Sequence, residues 1–385
     1  MEALAINGGR AVITNKFPDW PMWDQTDIES VSDVVRSGKW EWHNGTRVPE
    51  FEKRFAEFHH ANFALSCANG TVAIELVLEA LRIGAGDEVI VPDYTYTATA
   101  MAPIKRGAKV VLVDVDPDTF CIDPLLIERA ITDKTKAIIP VHFGGHPCDM
   151  DAIMELAQKH GLYVITDCAH AHGAQWAGKY IGTLGHAGTF SFQGSKTLSC
   201  GEGGAILSND ENLMRICRSL HNFGRVIGES PYQHDIPGTN YRLGELQAAL
   251  LLSQLERLEQ QCRRREENGK LLTDLLSRID GIKPQARAPS LTRHGYYLFT
   301  FIIERDIPRN AFRTALAAEG VPVQLEYTAV HTHEYIRKMG LSNGDFPVSD
   351  RLASKSIWLF HNCLLAEPEQ VSLIAEAVKK VLDNL

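Results

Sequence analysis

Lys196 ends the run Gly188-Thr-Phe-Ser-Phe-Gln-Gly-Ser-Lys196 and is followed by Gly201-Glu-Gly-Gly204. A lysine crowded by small residues, with a glycine-rich turn behind it, is placed to reach a bound aldehyde rather than solvent. Partial burial would lower its pKa and supply neutral amine. Upstream, Asp167 closes the apolar run Leu162-Tyr-Val-Ile-Thr-Asp167. A carboxylate at the carboxyl end of a buried strand lies where open α/β sheets bind ligands. An amine for a Schiff base and a carboxylate for a protonated ring nitrogen are the two protein groups that pyridoxal phosphate (PLP) requires. In that chemistry Lys196 holds the cofactor, leaves when an amino donor binds, and then carries the proton. Asp167 keeps the ring able to drain charge from the donor's α-carbon.

Other residues along the chain suit the same ligand. Asn69-Gly70-Thr71 lies between a strand-like and a helix-like stretch. There the free N–H groups of a first helical turn favour an anion, and Gly70 permits close approach. An ordinary turn with an N-cap is the competing reading. Tyr94 and Tyr96 stand where a strand gives way to a helix, and either ring could stack on a flat heteroaromatic or simply pack. His170, in Asp167-Cys-Ala-His170-Ala-His172, could hydrogen-bond the cofactor's ring oxygen. The histidine pairs His170/His172, His331/His333 and His142/His146 carry no cysteine set and no His-Glu-x-x-His, so no metal is expected. Gln193 occupies the place where a Ser-x-x-Lys acylating pair would need serine. Gly182-x-x-Gly185-x-x-Gly188 lacks the spacing of a dinucleotide loop.

These residues need a scaffold. Phe63–Cys67, Glu88–Val91, Lys109–Val113, Lys136–Val141 and Leu162–Thr166 read as strands. They alternate with helical stretches at Val72–Leu81, Thr97–Arg106 and Met150–His160, the pattern of an α/β fold with a mostly parallel sheet covered by helices. Leu251, Leu255, Leu258 and Cys262 recur at helical spacing. Arg263, Arg264 and Arg265 then read as a solvated face. A large α/β domain over 1–255 and a smaller α+β domain over 256–385 are expected.

The 385 residues are 44% hydrophobic with a net charge of −9. That charge excludes the basic footprint of a nucleic-acid protein and gives no reason to expect an anionic membrane surface as partner. No apolar run approaches the ~20 residues of a membrane span, and the N-terminus carries no signal-peptide pattern. Eight scattered cysteines suit free thiols in a reducing, cytoplasmic setting.

Taken together, Asn69-Gly-Thr71, Asp87-Glu-Val-Ile-Val-Pro92, Asp167-Cys-Ala-His170-Ala-His-Gly, Ser191-Phe-Gln-Gly-Ser-Lys196, Gly201-Glu-Gly-Gly204 and Asn240-Tyr-Arg242 resemble the DegT/DnrJ/EryC1/StrS aminotransferases, fold-type I PLP enzymes. The opening Phe17–Trp23 and the segment from His361 resemble most the members acting on scyllo-inosose and the 3-amino-5-hydroxybenzoate synthases. The resemblance implies Lys196 as Schiff-base lysine, Asp167 as pyridinium partner and His170 beside the ring hydroxyl. It implies Tyr96 as the stacking aromatic and Gly70, Thr71 and Ser191 as the phosphate cradle. Asn240 would complete that cradle from the second subunit of a homodimer. Tyr327 and His331 would lie on a substrate loop, with Arg225 a further candidate for a substrate anion. Glu326 stands where members usually have histidine. The implied activity moves an amino group from glutamate or glutamine to a keto-sugar or keto-cyclitol. A dehydratase and aromatase of the aminohydroxybenzoate type, and a non-catalytic PLP-binding regulator, are the alternatives.

Overall fold

The computed structural model describes residues 2–225 and 232–385. Seven strands form one sheet in the order Phe63–Cys67, Gly204–Ser208, Ala187–Ser191, Tyr163–Asp167, Thr135–Ile138, Glu88–Pro92, Lys109–Val113. Gly204–Ser208 runs antiparallel to both neighbours; the five strands beyond it pair in parallel. Buried residues fill most positions of these strands, as helices on both faces require. The expected strand at Lys136–Val141 starts one residue earlier and ends at Ile138, because Pro140 cannot donate to a ladder.

A second sheet of four antiparallel strands contains Ile282–Pro284, Leu298–Ile303, Ser356–Phe360 and Val323–Gln324. Helices Arg309–Ala318 and Pro368–Asn384 share its apolar cluster. The helix Glu245–Leu276 joins the two bodies and is unbroken across residues 255 and 256. Arg257 near its middle pairs with Asp24 and Asp27, and Asn268 farther along donates to the carbonyls of Leu364 and Ala366. The predicted stripe Leu251, Leu255, Leu258 and Cys262 is buried.

Two sequence expectations change. Leu4, Ile13 and Phe17, assigned to the first domain, pack in the cluster of the second sheet, where Glu319 receives the N–H groups of Ala5 and Val12. Of the three arginines read as a solvated face, Arg263 is exposed, Arg264 pairs with Glu367, and Arg265 is fully buried. A run of three adjacent residues turns through most of a helix circumference, so one of them faces inward.

Glu245 ties the long helix to the sheet's supporting layer. Its carboxylate receives the N–H groups of Thr46, Arg47 and Val48 at 2.9, 2.7 and 2.9 Å. These are the open donors at the start of helix Arg47–His59, whose own Thr46 side chain makes no cap. That helix presses Phe51 and Phe55 against Phe192, and Phe55 against Phe190, bracketing Ser191. Glu245→Ala strands three donors and is expected to cost about 2–3 kcal/mol. The urea midpoint should fall with an unchanged slope, and Glu245→Gln should lose less.

Candidate active site

One edge of the large sheet gathers the predicted residues. The chain leaves Cys67 into Asn69-Gly70-Thr71, leaves Pro92 into Tyr94 and Tyr96, and ends its central strand on Asp167. Ser191 ends the strand opposite Gly204.

Asn69 is the N-cap of helix Gly70–Ala80, its side-chain oxygen accepting from Val72 N at 2.9 Å. The Gly70 and Thr71 N–H groups have no partner among the described residues, so they remain available to an anion at the positive end of the helix. The cradle is tight: a Cβ on Gly70 would lie 2.9 Å from Ser191 Cβ. A Cβ on Gly204 would lie 2.4 Å from the Asn69 carbonyl carbon. In the glycine-rich turn behind Lys196, Gly203 and Gly204 serve close packing. Gly201 alone adopts the left-handed region, with φ near 90°.

Lys196 projects from the compact loop between Ala187–Ser191 and Gly204–Ser208. The loop is closed by Phe192 N to Gly203 O and Cys200 N to Phe192 O, at 2.8 and 2.9 Å. Lys196 Nζ lies 4.2 Å from the centroid of the Tyr297 ring. Burial pulls the amine down to about 8, with the Asp167 charge opposing the shift. Asp167 Oδ2 accepts from Thr99 Oγ1 at 2.9 Å, and Oδ1 from Ala169 N at 3.1 Å. Burial pushes the Asp167 carboxyl up, against those hydrogen bonds and the lysine charge. A cationic ring nitrogen beside this carboxylate would reverse the balance and hold it ionised.

His170 stacks on Tyr297 with centroids 4.3 Å apart. Burial first, then the Lys196 charge, holds it well below the ordinary histidine value and therefore neutral. Its Nδ1 accepts from Gly144 N at 3.4 Å, which leaves the proton on Nε2, 3.4 Å from the Tyr327 hydroxyl. Tyr327 in turn faces the exposed Tyr96 ring at 5.6 Å. Lys196, Asp167, His170, Tyr327 and Tyr96 thus surround one space, with the Gly70, Thr71 and Ser191 cradle on the same edge.

Three further candidates have contacts of their own. His331 gives its backbone N–H and Nδ1 to Asp93, both at 2.7 Å, and stacks on Phe346. Arg225 meets His43 Nε2 at 3.1 Å and lies over Phe223. Asn240 is exposed, its side-chain oxygen accepting from Arg242 N. Glu326 turns away from the site; its buried carboxylate pairs with Arg313 at 3.0 Å while the next residue, Tyr327, points in.

Tyr297 and Thr99 are the residues that sequence reasoning missed. Tyr297 sits inside an apolar strand-like run that reads only as core, and Thr99 inside a helix start. Neither carries a sequence signal for contact with Lys196 or Asp167.

The site's parts suit PLP: a helix terminus for a phosphate, a carboxylate for a ring nitrogen, and an amine of depressed pKa for an aldehyde. The sequence model of the DegT/DnrJ/EryC1/StrS aminotransferase family matches residues 21–379. L-glutamine:scyllo-inosose aminotransferase from Streptomyces griseus is 35% identical, over 100% of this chain and 98% of that protein. The crystal structure of 3-amino-5-hydroxybenzoic acid synthase superposes with a TM-score of 0.92 at 35% identity, covering 96% of this chain and 99% of that one. DesV from S. venezuelae, solved with a ketimine intermediate, matches at TM-score 0.85 and 35% identity, covering 92% and 93% of the two chains.

The lowered lysine pKa has a stability consequence. In the cofactor-free protein the folded state resists protonation of Lys196 more than the unfolded chain does. That penalty is complete below about pH 8, the folded value, and vanishes above the ordinary 10.5. Lys196→Met should therefore stabilise the cofactor-free protein below pH 8, by on the order of 1–3 kcal/mol. The gain should fade between pH 8 and 10.5, as chemical denaturation across that range will show.

Proposed function

The chain belongs to the DegT/DnrJ/EryC1/StrS aminotransferase family, and on that premise we propose that it uses PLP to move the amino group of glutamine or glutamate to a keto-cyclitol or keto-sugar. The observation that carries this reading is the half-buried Lys196 amine near Asp167 and Tyr297 at the edge that holds the Gly70 helix terminus. When bound, PLP supplies an aldehyde to carry nitrogen and a ring that accepts electrons.

The protein's own residues do the rest. Gly70, Thr71 and Ser191 receive the phosphate, and Asp167, steadied by Thr99 and Ala169 N, holds a proton on the ring nitrogen. His170 donates from Nε2, and Tyr96 and Tyr327 wall the ring and exclude water. Lys196 Nζ, neutral in an appreciable fraction near pH 8, takes the proton from the donor's α-carbon and later returns one. Tyr297 and Tyr327 come from the smaller domain proposed over 256–385, and the other residues of the site from the larger one. The exposed Asn240 supports a homodimer in which each subunit completes its partner's phosphate site. Eight free, buried cysteines suit a cytoplasmic enzyme, and among the described residues no helix is long and apolar enough to cross a membrane.

The glutamine and scyllo-inosose named for the Streptomyces griseus relative support the donor and the cyclitol acceptor. The likeness to 3-amino-5-hydroxybenzoic acid synthase favours a second reading, dehydration and aromatisation of an amino-ring substrate by the same Lys196.

Purified protein given PLP should acquire a visible absorption band that Lys196→Ala lacks. Glutamine should bleach that band, and a keto-cyclitol should restore it. Asp167→Asn should still bind PLP but transfer nitrogen at least ~100-fold more slowly. A colourless protein that takes up no PLP overturns the assignment. An aromatic product formed without any amino donor decides for the second reading, and a band indifferent to glutamine and glutamate decides for a non-catalytic binder.

A further inference from the structure

Behind the lysine loop lies a buried cation that the catalytic reading does not use. Arg265 is 0% exposed. Its Nη2 reaches His361 Nδ1 at 3.2 Å and Gln261 Oε1 at 3.5 Å, while Nε and Nη1 make no hydrogen bond and the guanidinium lies 5.3 Å from the Trp20 ring centroid. No carboxylate pairs with it among the described residues; the adjacent Glu266 is committed to Arg287 and Lys270. Burial pulls Arg265 down only to about 10, so it stays a cation at neutral pH. An expensive charge without a counter-ion calls for a reason.

The hydrogen-bond directions supply one. A guanidinium has donors and no acceptor, so His361 Nδ1 must accept. Burial and the Arg265 charge hold the His361 ring well below its ordinary value, hence neutral. Its single proton therefore sits on Nε2, which lies 3.0 Å from the Ser195 carbonyl. Ser195 precedes Lys196, and its hydroxyl meets the Tyr297 hydroxyl at 3.0 Å. Trp20 abuts His361 edge-on at 4.4 Å and limits rotation of the imidazole.

We propose that Arg265 is a positioning residue for Lys196: it locks His361 in the tautomer that donates to the Ser195 carbonyl, and so fixes the peptide from which the lysine extends. Lys196 must release and recapture a ligand while keeping its amine over Tyr297. A backbone held from behind lets the side chain move without the loop. Without Arg265, the other His361 tautomer would turn a lone pair toward a carbonyl oxygen and release the loop. The catalytic consequence rests on Lys196 being the reacting amine; the structural consequence does not.

Hydrogen exchange of the peptide spanning residues 192–200, followed by mass spectrometry in the cofactor-free protein, reads the loop directly. Arg265→Met should speed exchange there by about tenfold or more while the core stays protected. In the PLP-loaded enzyme the same variant should lose about tenfold to a hundredfold in kcat, with the KM for glutamine within about twofold of wild type. His361→Gln places an amide donor near the same carbonyl with no tautomer to choose. Adding it to Arg265→Met should restore both protection and kcat, and Arg265→Lys, still a donor, should retain most of both. Unchanged exchange in a folded Arg265→Met protein, or absence of rescue by His361→Gln, overturns the proposal. Should Arg265→Met not fold, loop exchange in Arg265→Lys matching that of His361→Phe does the same. Normal loop exchange effects in a protein whose Lys196 captures no PLP would instead refute the catalytic reading alone.

Discussion

Lys196 is half-buried near the buried Asp167, and burial acts on them in opposite chemical senses with the same result. It lowers the amine and raises the carboxyl, so each is pushed toward neutrality while its partner's charge resists. A neutral amine is a nucleophile and a base; a carboxyl poised this way becomes a strong anion once a cationic ring nitrogen arrives. Tyr297 lies beneath the amine, His170 stacks on Tyr297, and Tyr327 meets His170. Every one of these is an aromatic or neutral group, which offers no competing charge.

The helix terminus beside this space needs close backbone approach. The antiparallel strand beginning at Gly204 lies against Asn69 and Gly70 so closely that a side chain cannot fit, and the Gly70 helix terminus lies against Ser191. Phe51 and Phe55 hold that strand end from the opposite side, on a helix whose start is capped by Glu245 from a distant part of the chain. This end of the site, the proposed phosphate cradle, is thus built by three non-sequential segments. Their separations follow from the absence of a Cβ rather than from chain flexibility.

Much of this was legible in the chain. The alternation of short Val/Ile runs with helical stretches located most sheet strands within a residue or two. Lys196, Asp167 and Gly70 stood out by chemical type and position along the chain, whereas Ser191 came only from the family resemblance. Tyr297 was not legible, because a tyrosine in an apolar strand looks the same whether its face meets core or substrate. Arg265 was misread for a related reason: polar sequence neighbours suggest solvent, yet helical rotation sends one of three adjacent residues inward. His331 and Arg225 came from the family resemblance, and the partners each has in the fold could not be read from the chain. Asp93 holds His331, and His43 meets Arg225.

The sequence by itself determined the residue types on offer, an amine, a carboxylate and a glycine-bearing helix start, and the mostly parallel sheet that carries them. Those properties belong to residue type and to local periodicity, both written in the chain. Tertiary structure alone decided which groups are dehydrated, which tautomers persist, and which glycines are obligatory. These depend on distances between segments far apart in sequence, such as Gly204 to Asn69, Arg265 to His361 and Tyr297 to Lys196. A pKa shift or a fixed imidazole tautomer arises from such neighbours, so neither can be read until the chain has folded.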